Sequence, residues 1–307
     1  MLNCTEYANN LFEQPWWLDI VARDYWKEYV SKDDKGNIVG RMPVICDKKR
    51  IYLPEMTQTV GIWMTPEASK DYGMQKRIIN DLLGQIPKKK NMQFVLAPEN
   101  QYILPFRWAG YSFEPRFTYR INDLSDIDTL YNKLNKTAKK NIKTARNKVK
   151  IVDILDECVL FDLMDKTFEV QGRKNPMSKK LISRILKECN EKNCGKYLAA
   201  VDLEGNVHSC AYFVYDKQVC YYLLGASDSK FRSSGAQSLV IWEGIKFASA
   251  HSKIFDFEGS MVEGIENFFR QFSTECVPYF VINKQTLFGD ILDILKPYIK
   301  RMLNYKI

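Results

Sequence analysis

Histidine is the scarcest reactive residue in this chain. Two in 307 residues, His208 and His251, leave too little imidazole for a Cys/His metal centre. The eight cysteines do not compensate. No CxxC pair occurs, and the closest two, Cys189 and Cys194, have no histidine near them in sequence. No metal is expected, and the cysteines read as reduced thiols of a cytoplasmic protein. Long apolar runs are also missing: none approaches the ~20 residues that span a bilayer. The opening MLNCTEYANNLF has neither the basic nor the apolar region of a secretory signal. What is present is ordinary for a globular chain. Hydrophobic residues make up 46% and aromatics 13%, enough for one large or two medium cores. The net charge of +8 permits an anionic partner without requiring one.

One stretch organises the rest, Ile254 to Phe280. It opens with an alternating strand, Ile254–Phe255–Asp256–Phe257–Glu258, whose period of two puts Asp256 and Glu258 on the same side. Gly259–Ser260 breaks it. Ile265, Phe268, Phe269 and Phe272 then recur at helical spacing, and Cys276 to Ile282 forms a second strand. The first half contains an echo of this unit. Phe94, Phe106, Arg107, Pro115 and Phe117 match Phe257, Phe269, Arg270, Pro278 and Phe280, each pair separated by the same 163 residues (94 to 257, 106 to 269). The element order strand, helix, strand is also shared, so the chain reads as a duplication. The copies differ at the acidic positions, where the first has Gln93 and Val95.

Before the echo, Pro15 suits a helix first turn, with Trp16 and Trp17 either packing a core or, for Trp17, lining a substrate cleft. Ile38–Cys46 and Arg50–Pro54 read as a hairpin, and Ser69–Ile86 as a helix ended by Pro87. Between the halves, Leu130, Leu134, Ala138, Ile142, Ala145 and Val149 make a helical stripe over 130–150. Lys133, Lys136, Lys139, Lys140, Lys143, Arg146, Lys148 and Lys150 occupy its other faces, as a solvated connector or as a phosphate-contacting surface. The second half spells β-α-α-β-β-β-α-β-α-β. Its strands are Lys150–Leu155, Tyr197–Asp202, Val207–Tyr215 and Val219–Ala226, and its helices include Cys158–Glu169, Lys179–Glu191 and Gly235–Ala250.

That order, and the loop Gly225-Ala226-Ser227-Asp228-Ser229-Lys230-Phe231-Arg232-Ser233-Ser234-Gly235-Ala236, resemble GNAT-fold acyltransferases and their Arg/Gln-x-x-Gly-x-Gly/Ala phosphate loop. Arg232 and Gly235 fit the pattern, while Gln237 stands where Gly or Ala is usual. Small residues before a helix let backbone N–H groups approach an anion; alternatively Ser233 or Ser234 simply caps the helix. A closer resemblance covers nearly the whole chain. LFEQPWWLDIVA, KTAKKNIKTARNKV, FEVQGRKNP, YYLLGASDSKFRSSGAQSLVIWEGIKFA and FDFEGSM…FFRQF look like the Fem-type (FemAB-like, methicillin-resistance-factor) family of tandem GNAT-fold proteins.

The resemblance implies an α+β fold with mixed sheets in two tandem GNAT-like domains. A degenerate one would occupy 1–125, a basic connector helix 126–149 and the acyltransferase domain 150–307. It implies a bacterial N-acyltransferase that moves an acyl or aminoacyl group, directly and without a covalent enzyme intermediate, to an amine of a cell-envelope polysaccharide or peptidoglycan precursor. The donor would be acyl-CoA or aminoacyl-tRNA. The alternatives are a strictly tRNA-dependent bridge ligase and an inactive tandem GNAT protein that binds glycan or RNA. Glu258 or Asp256 is the expected base or amine-orienting carboxylate, unless both only cap or pair. Tyr222 is either the proton donor to the leaving group or a core aromatic. Backbone at Leu224, Gly225 and Ala226, with Arg232, Ser233, Ser234, Gly235 and Ala236, would hold the donor. Trp17, Gln171, Arg173 and Lys174 would meet the anionic acceptor. Lys136, Lys139, Lys140 and Lys143 would meet tRNA or a membrane surface.

Overall fold

The computed structural model describes residues 4–154, 156–170 and 172–285. They form two compact units. One holds the chain up to Arg116 together with the segment from Tyr279 on, the other Phe117–Pro278.

In the first unit, Pro15 sits at the start of α1 (Pro15–Val21), where its missing N–H loses no bond. Helix α1 drives Trp16, Trp17 and Leu18 into the core. Strands β1 (Trp26–Lys32) and β2 (Ile38–Ile45) are a hairpin closed by Asp33, whose carboxylate accepts the N–H groups of Lys35 and Asn37. The sequence reading missed β1, whose exposures do not alternate cleanly. It also paired β2 with the next segment. That segment, β3 (Arg50–Ile51), instead runs parallel to the strand at Asn91–Val95 and meets the residue just after β2 through one antiparallel bridge, Cys46 to Ile51. The Asp47 carboxylate accepts the N–H groups of Lys49 and Arg50 in the turn, and the antiparallel pairing past it is limited to the Asp47–Arg50 and Tyr52–Ile45 backbone bonds. After β4 (Trp63–Met64), Asp71 caps α2 (Tyr72–Gln85), which buries Ile78, Ile79 and Leu82. Strand β5 (Asn91–Val95), α3 (Leu104–Trp108) and β6 (Ser112–Ile121) complete the first copy of the closing motif.

In the second unit the expected basic helix is two helices, α4 (Ile127–Lys133) and α5 (Lys136–Arg146). Asn135 separates them. Its side chain caps α5 by accepting the Thr137 N–H, and its own N–H goes to Gln271 O. The apolar stripe is real across the break: Leu134, Ala138, Ile142, Ala145 and Val149 are all buried. Then follow β7 (Lys150–Val152), α6 (Glu157–Glu169), α7 (Lys179–Glu191), β8 (Gly195–Val201), β9 (Val207–Tyr215), β10 (Val219–Ser227), α8 (Ala236–Ser249), β11 (Ile254–Asp256), α9 (Glu263–Phe269) and β12 (Glu275–Gln285). Strands β7, β8, β9 and β10 form an antiparallel meander, β11 joins β10 in parallel, and the end of β6 pairs antiparallel with β11. Helix α8 is buried nearly all round, with Leu239, Ile241, Trp242 and Ile245 packed among Phe213 and Phe255. Burial of each such side chain is worth about 1.5–3 kcal/mol.

The duplication is visible in the register. Phe94 pairs with Ile282, and the Phe257 N–H donates to Tyr119 O. Adding 163 to 94 gives 257, and subtracting it from 282 gives 119. Each copy's closing strand therefore pairs with the other copy's first strand, β12 with β5 and β6 with β11, in equivalent register. The polar pairs at equivalent positions differ. Gln93 donates to the Asn283 side chain at 3.2 Å on an exposed face. Asp256 and Arg120, which take the same places, form a buried ion pair at 2.6 Å. Arg120→Met strands a buried carboxylate and is expected to lower the unfolding free energy by about 3–5 kcal/mol. Gln93→Ala should change it by under about 0.5 kcal/mol. Urea denaturation of the full chain measures both, and equal losses would show that the copies are tied with equal strength.

Candidate functional site

Strands β10 and β11 are paired only from Val219 to Tyr221 against Ile254 to Asp256. From Tyr222 onward β10 runs on, still bonded to β9, while β11 ends. The β9 register slips between Tyr222 and Leu224, a bulge that bends the strand at this point. The edge of β10 facing β11 is thus left without a strand partner among the described residues. Gly225 is needed where the strand bends, because the Tyr222 ring lies over it and leaves no room for a Cβ.

A cleft of about 640 Å³ opens beside this edge, wholly within the second unit. Tyr222, Ile265, Phe268 and Phe269 make one part apolar, with the Tyr222 and Phe269 rings edge to face at 6.3 Å. His208, Asp228, Arg232, Ser234 and Thr167 make another part polar. The wall between them is the start of α8. Gly235 there takes φ +75°, and a Cβ on it would strike the Asn141 carbonyl, so only glycine fits. The Ser234 hydroxyl accepts the Ala236 N–H from one residue before the cap, which is Gly235 and not either serine. Gln237, which departs from the small residue usual in the loop, reaches the Tyr222 hydroxyl. Burial pushes that hydroxyl up to about 12, so Tyr222 stays protonated and can donate.

The two carboxylates part company. Asp256 is sealed from solvent. Its Oδ1 accepts the Thr118 hydroxyl at 2.5 Å and the Glu258 N–H at 2.7 Å, and its Oδ2 accepts Arg120 Nε at 2.6 Å. The strand expected to run through Glu258 stops at Asp256, so the two do not share a sheet face. Glu258 turns instead into the left-handed region at φ +59°, and Gly259 follows at +67°, pressed against the Phe117 carbonyl. A non-glycine residue held there is strained. Its Oε1 is buried and unpartnered. Desolvation, and then the Asp256 charge, push its carboxyl well above the usual range.

Of the expected residues the cleft wall takes Tyr222, Arg232, Ser234, Gly235 and Ala236. Leu224, Gly225, Ala226, Ser233, Asp256 and Glu258 lie outside that wall. Trp17 is a correction. It is fully buried in the first unit with its indole N–H on Thr57 Oγ1, because a staggered set of aromatics, Phe12, Trp16 and Trp17, packs edge to face there. Arg173 and Lys174 are exposed on the loop after α6, and Gln171 lies outside the described residues. Lys136, Lys140 and Lys143 project from α5 into solvent, while Lys139 is turned back onto Asn132 O. Sequence reasoning missed His208. Its signal was scarcity: it is one of two histidines and stands two residues after a turn.

Residues 122–270 match the acetyltransferase (GNAT) domain family. No curated protein matches the chain by sequence. Among solved structures, FemX is similar with a TM-score of 0.66 and 13% identity, over 89% of this chain and 92% of that one. A tandem GNAT protein from the clavulanic acid biosynthesis pathway has a TM-score of 0.53 and 10% identity, over 84% and 82%. The C-terminal domain of a putative lysylphosphatidylglycerol synthetase from Agrobacterium fabrum has a TM-score of 0.50 and 12% identity, over 89% and 88%. The resemblance to Fem-type tandem GNAT proteins read from the sequence therefore holds, at the level of fold, along most of the chain.

The Glu258 turn predicts a stability signature. A carboxyl whose pKa is raised on folding favours the folded state below its unfolded pKa and loses that advantage as pH rises through the folded one. Glu258→Gln should thus raise the melting temperature at neutral and alkaline pH and leave it nearly unchanged at about pH 4. Glu258→Gly, which also relieves the left-handed backbone, should add about 1 kcal/mol more. Calorimetric scans across pH test this, and a Gln variant less stable at pH 8 would contradict it.

Proposed function

We propose, for a chain that has the tandem GNAT fold and carries a GNAT acetyltransferase domain in its second unit, that it is an N-acyltransferase. It transfers an acyl or aminoacyl group to an amine of a cell-envelope polysaccharide or peptidoglycan precursor. The observation that carries this reading is the parting of β10 from β11 after Tyr221, beside a cleft that reaches the start of α8. A bare strand edge offers N–H and C=O groups to an extended donor, and the helix start offers partial positive charge to its phosphates. The likeness to FemX and to a putative lysylphosphatidylglycerol synthetase supports an envelope substrate.

The residues fit an acyl thioester of coenzyme A. Leu224–Ala226 of β10 would hold its extended arm, and Arg232 with Ser234, Gly235 and Ala236 its phosphates. When bound, it supplies a carbonyl already activated for attack. The protein's part is protonic and positional. An amine attacks only as the free base, so a carboxylate must take its proton. Glu258 is the candidate, because burial and then the Asp256 charge raise its carboxyl well above the usual range, so that it holds a proton more strongly than an ordinary carboxylate. Tyr222, neutral and tied to Gln237, supplies a proton to the leaving group. The C–N bond forms as the donor bond breaks. The amine proton passes to Glu258, and the leaving atom takes the Tyr222 proton. Asp256 keeps its carboxylate for Arg120 and Thr118, and its task is to fix the turn.

A second reading, aminoacyl-tRNA as the donor, is favoured by the exposed face of α5. Lys136, Lys140 and Lys143 recur there at i, i+4 and i+7 with no acid among them. This makes an uncompensated basic row that tracks a phosphate backbone.

Glu258→Gln is expected to lower kcat/KM for acyl transfer about 100-fold or more and to abolish the rise of rate with pH that the free carboxylate produces. Tyr222→Phe should lower kcat with little change in KM. Steady-state assays of acetyl-CoA and of charged tRNA with amine-bearing envelope precursors check both. A Gln variant with the wild-type rate removes Glu258 from the chemistry. Replacing Lys136, Lys140 and Lys143 with Gln should weaken tRNA binding and reduce the slope of log K against log salt by about 3. An unchanged slope leaves α5 as a connector.

A further inference from the structure

We propose that His208, held by Asp202, is a phosphate contact in the polar part of the cleft, donating from Nδ1 to a phosphate oxygen of the ligand. The inference extends the donor-site reading of the cleft to a residue that neither the loop motif nor the expected catalytic set includes.

Asp202 lies in the turn between β8 and β9 and is fixed from several sides. Its Oδ1 accepts the N–H groups of Glu204 at 2.9 Å and Asn206 at 2.8 Å. Its Oδ2 accepts the Asn206 side-chain amide at 3.0 Å and stands 3.1 Å from His208 Nε2. These bonds, led by that of the Asn206 side chain, hold the Asp202 carboxyl down to about 2. It is therefore an anion that only accepts, and the proton between the two residues belongs to Nε2. The imidazole is thus oriented from behind by a carboxylate and clamped on one face by Phe231, stacked at 3.9 Å and 8°. His208 is 6% exposed and forms part of the cleft wall. Its remaining nitrogen, Nδ1, is buried and has no hydrogen-bond partner. A buried polar atom left unmade is a standing penalty. An oriented ring with one unpaired nitrogen on a ligand-sized cleft is relieved when the ligand supplies the partner.

The class of partner follows from the surroundings. Asp202 behind the ring and the Phe231 face beside it leave Nδ1 as the ring nitrogen without a partner. Asp228, the acid facing this region from the end of β10, is engaged by Lys166 of α6 at 3.1 Å and by the Lys230 N–H at 2.9 Å. Arg232 adds an exposed cation on the same wall. An imidazolium Nδ1–H beside Arg232 and the start of α8 takes an anion with several acceptor oxygens. The register puts this end of β10 five residues beyond Tyr222, across the bulge, about 15 Å along the strand. That end suits the phosphates of a long donor rather than its reacting carbonyl. Those phosphates belong either to a nucleotide thioester such as coenzyme A or to the phosphodiester end of an aminoacyl-RNA.

Calorimetric titration of the full chain with inorganic pyrophosphate, coenzyme A and uncharged tRNA, between pH 5 and 8 where imidazoles change charge, tests the assignment. Affinity for the true donor's phosphates should fall about 10-fold or more as pH rises. His208→Gln should bind about 10-fold more weakly at the acidic end and show a flat profile. Asp202→Asn keeps an acceptor for the turn and should displace the profile to lower pH. If His208→Gln fails to fold, that displacement alone carries the test. Coenzyme A and tRNA serve as separate arms, and the one whose binding loses its pH dependence in the His208 variant identifies the source. Wild-type binding that does not vary with pH, equal affinity of the His208 variant, or no binding of any of the three ligands overturns the proposal. Acyl transfer is read separately. His208-dependent binding without transfer refutes only the enzymatic reading, and transfer without it refutes only this one.

Discussion

The ion pair between Asp256 and Arg120 is the constraint on which the second unit's site depends. Both groups are almost wholly buried, so neither has water to fall back on, and each is tolerable only because the other is there. Asp256 then spends its remaining acceptor capacity on Thr118 and on the Glu258 backbone. That last bond sits where the chain leaves the strand immediately after β11. A strand that continued would lie along β10 and close the gap. Instead β11 ends, β10 runs on alone, and a cleft exists. The same carboxylate raises the pKa of its neighbour Glu258 by like charge, in support of the larger effect of burial. One buried group thus stands at the end of a strand, beside the bare edge of β10, and adds to the raised pKa of a neighbouring carboxyl.

The duplicated architecture supplies a natural comparison. In the first copy, Gln93, Val95, Val281 and Asn283 stand where the second has Asp256, Glu258, Thr118 and Arg120. The backbone pairing is the same, and the amides bond each other on an exposed face. The first unit therefore shows what the motif looks like when it has only to hold strands together. The second shows the added burden of buried charge and a strained backbone, the kind of expense found where chemistry is done.

How far this was legible from sequence varies with the physics involved. Apolar runs bounded by turns located β9, β10 and α8, and helical spacing located α7, almost to the residue. The Fem-type tandem fold was legible from motifs along the chain. The break at Asn135 was not, since capping by one side chain competes with a stripe that continues unbroken across it. Strand β1 was hidden because its exposures lack alternation, and β3 was given the wrong partner because its parallel neighbour β5 lies 41 residues on rather than next in line. In the candidate site, the loop and Tyr222 were found through local chemistry. The sealing of Asp256 depends on Arg120, 136 residues distant, and the posture of His208 depends on Phe231. Nothing in a sequence window reports either.

The exchange of closing strands has a consequence for how the protein is made. Residues 279–285 belong to the first unit although they follow everything in the second. As the chain leaves the ribosome, β5 waits with one edge bare while about 185 further residues are synthesised. Only then does β12 arrive to cover it. The first unit begins first and is finished last, so the second, which needs only the end of β6 from upstream, has every segment it requires at an earlier moment. A bare strand edge of that duration is an invitation to mispairing. The polar residues alternating on β5, Asn91 and Gln93, are exposed in the finished protein and are what keeps that edge soluble in the interval.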